Sequence, residues 1–248
     1  MNFPNAIGNQ TGTNFANSIV FLPASQHRDD LISEKILTDG LPEFMKSLVD
    51  ITITDGSNEL KYSAAPDYLC IGTNEDYVRF NMMAKTVRMV ADKFNAVLPT
   101  PKMVKDTWNQ STAKLVPSPE GEPYDNTMSN INRLIDNDIK IKQQMKSFTL
   151  GSLVSGCRKD IVNCKSLVNN TTNIAIYGWF TKAGFPIQNL NAVSHNISYQ
   201  DYSQSARMYS RKMILNGSEV DFYDLLKDSN LCHLISDEGP YDATKIYT

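Results

Sequence analysis

The spacing of apolar residues switches back and forth between a helical repeat and strict alternation. Nowhere does it settle into strand–helix–strand units. That pattern excludes a doubly wound parallel sheet and predicts an α+β chain, with mixed helices and antiparallel hairpins around one main core. Leu31, Ile32 and Ile36 fall along one side of a helix over Arg28 to Thr38, stopped by Asp39-Gly40. Leu41 to Leu48 reads as a second short helix with Pro42 in its first turn. The period then drops to two. Ile51 and Ile53 alternate with Thr52 and Thr54, Asp55-Gly56 turns the chain, and Leu60, Tyr62 and Ala64 alternate on the return. A second hairpin joins Tyr68-Leu69-Cys70-Ile71 to Tyr77-Val78-Arg79-Phe80. Helices are predicted from about Met82 to Phe94 and, with Thr100 as N-cap and Pro101 in the first turn, to about Gln110.

Pro117, Pro119, Gly121 and Pro123 mark residues 113–127 as a Pro-rich loop. It separates an α+β N-terminal half, residues 28–112, from an α+β C-terminal half, residues 128–248. The second half opens on a polar helix from about Met128 to Lys146, with Ile131, Leu134, Ile135 and Ile139 as its apolar stripe. Short strands follow, and a closing helix runs from Asp221 to Lys227. Residues 1–27 are rich in Asn, Thr and Gln, and read as an extended N-terminal arm. A polar arm orders only against a surface. The expectation is that residues 1–27 lie on a protein partner, a second copy of the chain included.

Composition narrows the function classes. With 41% hydrophobic and 21% charged residues, the 248-residue chain can build a core without staples. A net charge of -3 argues against a dedicated nucleic-acid binder. No apolar run is long enough for a membrane span, and the first residues lack a signal-peptide pattern, which leaves the location open. Cys157 and Cys164 are seven apart, not the tight spacing of a zinc ribbon, and no Walker-type or GxGxxG loop occurs. Neither a metal nor a cofactor is expected.

The chemically dense stretch runs from Gly156 to Arg207. It holds Cys157, Lys159, Asp160, Tyr177, Trp179, His195, Tyr199, Asp201, Tyr202, Ser203 and Arg207. Read singly, each has an ordinary structural role: a hydrogen-bonded histidine, aromatic packing, a loop-holding ion pair, an inert buried thiol. Read together, they are a candidate site.

The order and spacing of several segments resemble a family of uncharacterised bacterial proteins, many of them exported. The segments are Gly40-Leu41-Pro42-Glu43-Phe44, Pro66-Asp67-Tyr68-Leu69, Leu98-Pro99-Thr100-Pro101-Lys102-Met103-Val104, Lys159-Asp160-Ile161-Val162, Ala175-Ile176-Tyr177-Gly178-Trp179 and Asp201-Tyr202-Ser203. The resemblance spans about Arg28 to Tyr241 and names relatives without naming a reaction. It implies histidines where this chain has Cys157, Phe180 and Gln204, while His195 remains. Imidazole exchanges protons near neutral pH and ligates metals, whereas Phe180 does neither. The run from Asp201 to Arg207 also resembles the Ser-His-Gly-Cys-x-Arg signature of L,D-transpeptidases, without its histidine or cysteine, and points weakly toward cell-wall substrates.

Three functional expectations follow. The first is a structural or binding subunit of a larger assembly, such as a phage virion, built on a domain that has lost its proton-transfer groups. The second is a hydrolase or transferase acting on cell-envelope peptide or glycan. His195 would be its base, oriented by Asp201, with Ser203 or Cys157 as nucleophile and Arg207 holding an anionic group. The third is a polysaccharide-binding module that stacks sugars on Tyr177, Trp179 and Tyr199, with Tyr202, Arg207, Lys159 and Asp160 completing the binding set.

Overall fold

The computed structural model describes residues 1–6, 8–120, 126–190 and 195–248. The chain is α+β, as its mixed periodicity predicts. Its largest sheet is antiparallel and draws on both halves of the sequence. In order, it holds the strands Ser218–Asp221, Lys212–Leu215, Glu59–Ala64, Tyr209–Ser210 and Ala96–Val97, with Val49–Thr54 also on Glu59–Ala64. The predicted hairpin turns at Asp55-Gly56. Asp55 Oδ1 accepts from the amides of Ser57 and Asn58 at 2.9 and 2.7 Å, and Gly56 takes a φ of +88°. Leu60, Tyr62 and Ala64 then point inward together.

The six helices among the described residues are α1 (Gly12–Ser18), α2 (Gln26–Thr38), α3 (Ala84–Lys93), α4 (Pro101–Gln110), α5 (Ile131–Met145) and α6 (Phe222–Lys227). The N-cap of α4 is as expected, with Thr100 Oγ1 accepting from Met103 N at 3.2 Å. Two predictions need correction. Leu41–Leu48 is reduced to a 3-10 turn, Glu43–Lys46. The buried face of α5 keeps Ile131 and Leu134 of the predicted apolar stripe but turns away from Ile139. Ile131, Leu134, Asp138, Ile141 and Met145 face inward, and Ile139 faces solvent. Asp138 is drawn inward by a buried arginine, Arg79, at 2.8 Å.

Residues 1–27 are not an extended arm. Asn2 N donates to Phe94 O, Gly8 N to Leu41 O and Gly12 N to Asp76 O, while Phe15, Ala16 and Ile19 enter the main core. Glycine makes this docking possible through close approach. A Cβ on Gly12 would lie 2.5 Å from Ile71 O and Val78 N. The polar segment is therefore held by the protein's own body, and its order requires no second chain.

The functional candidates cluster on a smaller sheet, Pro186–Gln188, Ile176–Phe180, Lys159–Ile161 and Gln204–Ser205. Its last pair is parallel, Gln204 opposite Lys159. Trp108 of α4 stacks on Phe180 at 5.1 Å between ring centroids, which seats that helix on the Ile176–Phe180 strand.

Candidate functional site

The strand Ile176–Phe180 is irregular at its centre. Gly178 has φ +111° and Trp179, a bulky residue, has φ +57°. Such a conformation costs on the order of 1–3 kcal/mol and must be held by its surroundings. Here Trp179 N donates to Arg158 O at 3.3 Å and its indole Nε1 to Cys157 O at 3.1 Å. The result is a half-buried indole beside Lys159, whose Nζ lies 4.8 Å from the ring centroid.

From Lys159 a chain of contacts runs to His195. Lys159 Nζ donates to Asp201 Oδ2 at 3.0 Å, and Tyr199 OH donates to the same oxygen at 2.9 Å. The His195 ring lies flat on Tyr199, centroids 3.7 Å apart and planes 9° apart. Asp201 Oδ1 accepts from Ser203 N and Ser203 Oγ, each at 2.7 Å, and from Gln204 N at 2.9 Å. Asp201 thus ties a tight turn to a lysine on the neighbouring strand. Burial pushes its pKa up, but Lys159 and the hydrogen bonds of Ser203 and Tyr199 outweigh that, and the net shift is downward. For His195, burial lowers the pKa, Asp201 opposes and Lys159 reinforces, leaving it below the usual imidazole value. Tyr199 is raised, by burial first and then by the carboxylate it serves.

Of the residues singled out from the sequence, Trp179, Lys159, Asp201, Tyr199, His195 and Ser203 come together. They do not form a triad. Ser203 is fully buried and its hydroxyl is committed to Asp201. Asp201 directs its hydrogen bonds to Ser203, Gln204, Lys159 and Tyr199, not to the imidazole. Cys157 is sealed in a separate apolar cluster with Tyr68, Leu115 and Ile141, and burial pushes its thiol up to about 12. Arg207 does not pair with Asp201. It lies buried over the Tyr68 ring at 4.6 Å and donates to the carbonyls of Ala65 and Val154. Asp160 is buried against Tyr68 OH at 3.3 Å, and desolvation lifts it to about 7 against the pull of Arg207. Tyr177 packs edge-on to Phe180, and Tyr202 OH accepts from Glu120 N at 2.8 Å.

The three positions where the resemblance implies histidine are all interior. Cys157 is in the cluster described above, Phe180 is wedged between Trp108 and Tyr177, and Gln204 donates to the carbonyls of Met82 and Tyr199. Among the described residues, no three His, Cys, Asp or Glu side chains converge as a metal-ligand set. Among the described residues, no helix is long and apolar enough to cross a membrane.

Sequence reasoning missed a buried charge network. Arg79 holds Asp67 through two hydrogen bonds, at 2.8 and 2.6 Å, and Asp138 at 2.8 Å. Arg158 approaches Asp138 at 3.8 Å. One signal was available: Asp138 falls at helical spacing from Ile131, Leu134, Ile141 and Met145, inside an apolar face.

Comparison with known proteins adds no relative: no family model, no curated protein and no solved structure matches this chain.

Proposed function

We propose that this chain is a binding protein rather than a catalyst, and that it holds a glycan against the Trp179–Lys159–Tyr199–His195 surface. One observation carries the reading. The groups able to attack a substrate, Ser203 and Cys157, are sealed inside, while the rings of Trp179, Tyr199 and His195 stay partly exposed. A strained, indole-bearing strand is the kind of feature a binding site retains at the expense of stability. Aromatic faces beside a charged donor suit the apolar face and hydroxyls of a sugar ring.

The test uses Trp179 itself. Polysaccharide titrated into the protein is expected to shift tryptophan emission, and Trp179→Ala is expected to lose both the shift and retention on a glycan array. Retention unchanged in Trp179→Ala would sink the reading. Turnover of cell-wall fragments that disappears in His195→Ala would instead favour the hydrolase or transferase.

A second reading, a subunit of a larger assembly, has one observation in its favour. The outer strand of the smaller sheet, Pro186–Gln188, and the residue before it carry solvent-exposed apolar side chains. Phe185 is 69% exposed and Ile187 53%. If that edge joins copies or partners, Phe185→Asp combined with Ile187→Asp will lower the mass measured by light scattering. An identical mass for both proteins would remove this reading.

A further inference from the structure

The chain contains one Asn-Gly pair, Asn216-Gly217, and it forms the exposed turn between the strands Lys212–Leu215 and Ser218–Asp221. An Asn-Gly pair is prone to modify itself. The glycine nitrogen attacks the asparagine Cγ, a C–N bond forms, the Cγ–Nδ2 bond breaks and ammonia leaves. Water then opens the cyclic imide to aspartate or isoaspartate. Glycine has no side chain to shield the attacking nitrogen or to restrict its approach.

The fold keeps Asn216 out of that reaction in two ways. Its φ of +50° lies in the left-handed region. There Cβ and the following nitrogen lie on opposite sides of the Cα–C bond, so the side-chain amide cannot meet the Gly217 nitrogen. The amide is also held at both ends. Oδ1 accepts from Glu59 N at 2.8 Å, and Nδ2 donates to Asn58 Oδ1 at 2.9 Å. Asn216 N donates to Glu59 O at 2.9 Å, which clips this turn to the return strand of the Asp55-Gly56 hairpin. Asn58 is fixed in its turn, because its N and Nδ2 donate to Asp55 at 2.7 and 3.1 Å. Cyclisation therefore requires Asn216 to leave the left-handed region and release both side-chain bonds, which means that the two hairpin tips part.

We propose that Asn216 is a latent self-modification site, unreactive while the two tips are clipped together and converted to aspartate or isoaspartate when they open. Conversion to aspartate keeps an oxygen for Glu59 N but removes the N–H that holds Asn58, so the original clip is not restored.

Peptide mass spectrometry on the full chain, aged at mildly alkaline pH, tests this. The tryptic peptide from Met213 to Lys227 holds Asn216 as its only asparagine. Conversion is expected to be about 30-fold slower in the folded protein than in the same chain unfolded in urea, the effect of two hydrogen bonds that must open first. Asn58→Ala is expected to speed conversion in the folded protein about fivefold and to leave the unfolded rate unchanged. Equal rates in the folded and unfolded parent chain would overturn the proposal. A folded Asn58→Ala variant that ages no faster than the parent would overturn it too, because the clip would not be what protects the amide.

Discussion

Two groups of charged and aromatic residues, one around Arg79 and one around Asp201, behave differently. The Arg79–Asp67–Asp138 network is sealed and fully ionic. The Trp179–Lys159–Asp201–Tyr199–His195 group is half-open and built around one carboxylate with five donors. In the first, removing a partner leaves a charge stranded in a low-dielectric interior. In the second, water reaches Trp179, Tyr199 and His195, while Asp201 and Ser203 are buried beneath them. The same residue types therefore report on folding in one place and, on the proposed reading, on recognition in the other.

The largest expected effect lies in the sealed network. Arg79→Met leaves Asp67 and Asp138 buried without their main cation. The loss should be about 3–5 kcal/mol, read as a drop in the urea midpoint. Asp67→Asn should cost less, since Asp138 still faces Arg79. If Arg79→Met melts like the parent protein, the distinction between the two groups collapses.

The next effect is pH-dependent. Burial raises Asp160 to about 7, so the folded state binds its proton more tightly than the unfolded chain does. Below the unfolded carboxylate value, near 4, the residue is protonated in both states and contributes nothing. As pH rises from there to about 7 the unfolded state is increasingly favoured, and above that the penalty is constant. Its ceiling is about 4 kcal/mol. Asp160→Asn keeps an oxygen for Tyr68 OH and removes the titration. The variant is expected to match the parent near pH 4 and exceed it at pH 8. Asp201 pulls the other way: its lowered pKa contributes stability above the unfolded carboxylate value that is lost on acidification. Asp201→Asn should therefore narrow its deficit as pH falls.

Much of the scaffold was readable from local chemistry. The Asp55-Gly56 hairpin and the Thr100-Pro101 helix start each depend on neighbours in sequence, and each forms as read. The misreadings share one cause, contact between distant segments. Residues 1–27 dock because Gly8 and Gly12 let one backbone lie against another, and Asp138 faces inward because of Arg79, 59 residues away. The site was half legible. Asp201, Ser203, Tyr199 and His195 lie within nine residues and do converge with Lys159 and Trp179. Which face each side chain takes depends on the break at Gly178-Trp179, and alternation along the strand does not foretell it.

The smallest expected effect is the sharpest test of how the open group is wired. His195 is held below the ordinary imidazole value by burial and by Lys159, with Asp201 opposing. Lys159→Met removes a neighbouring positive charge and leaves Asp201 uncompensated, so the His195 titration followed by NMR should move up. Asp201→Asn should move it down by removing the carboxylate whose charge favours the protonated ring. Stability should change little in His195→Ala, by about 0.5–1.5 kcal/mol for the lost stack on Tyr199. Opposite displacements in the two variants would mean that the ring senses the same Lys159–Asp201 pair that flanks Trp179. A titration unmoved by either substitution would mean that the histidine and the indole are neighbours without being coupled. In that case a ligand on Trp179 would not be felt at His195, and the open group would divide into two separate surfaces.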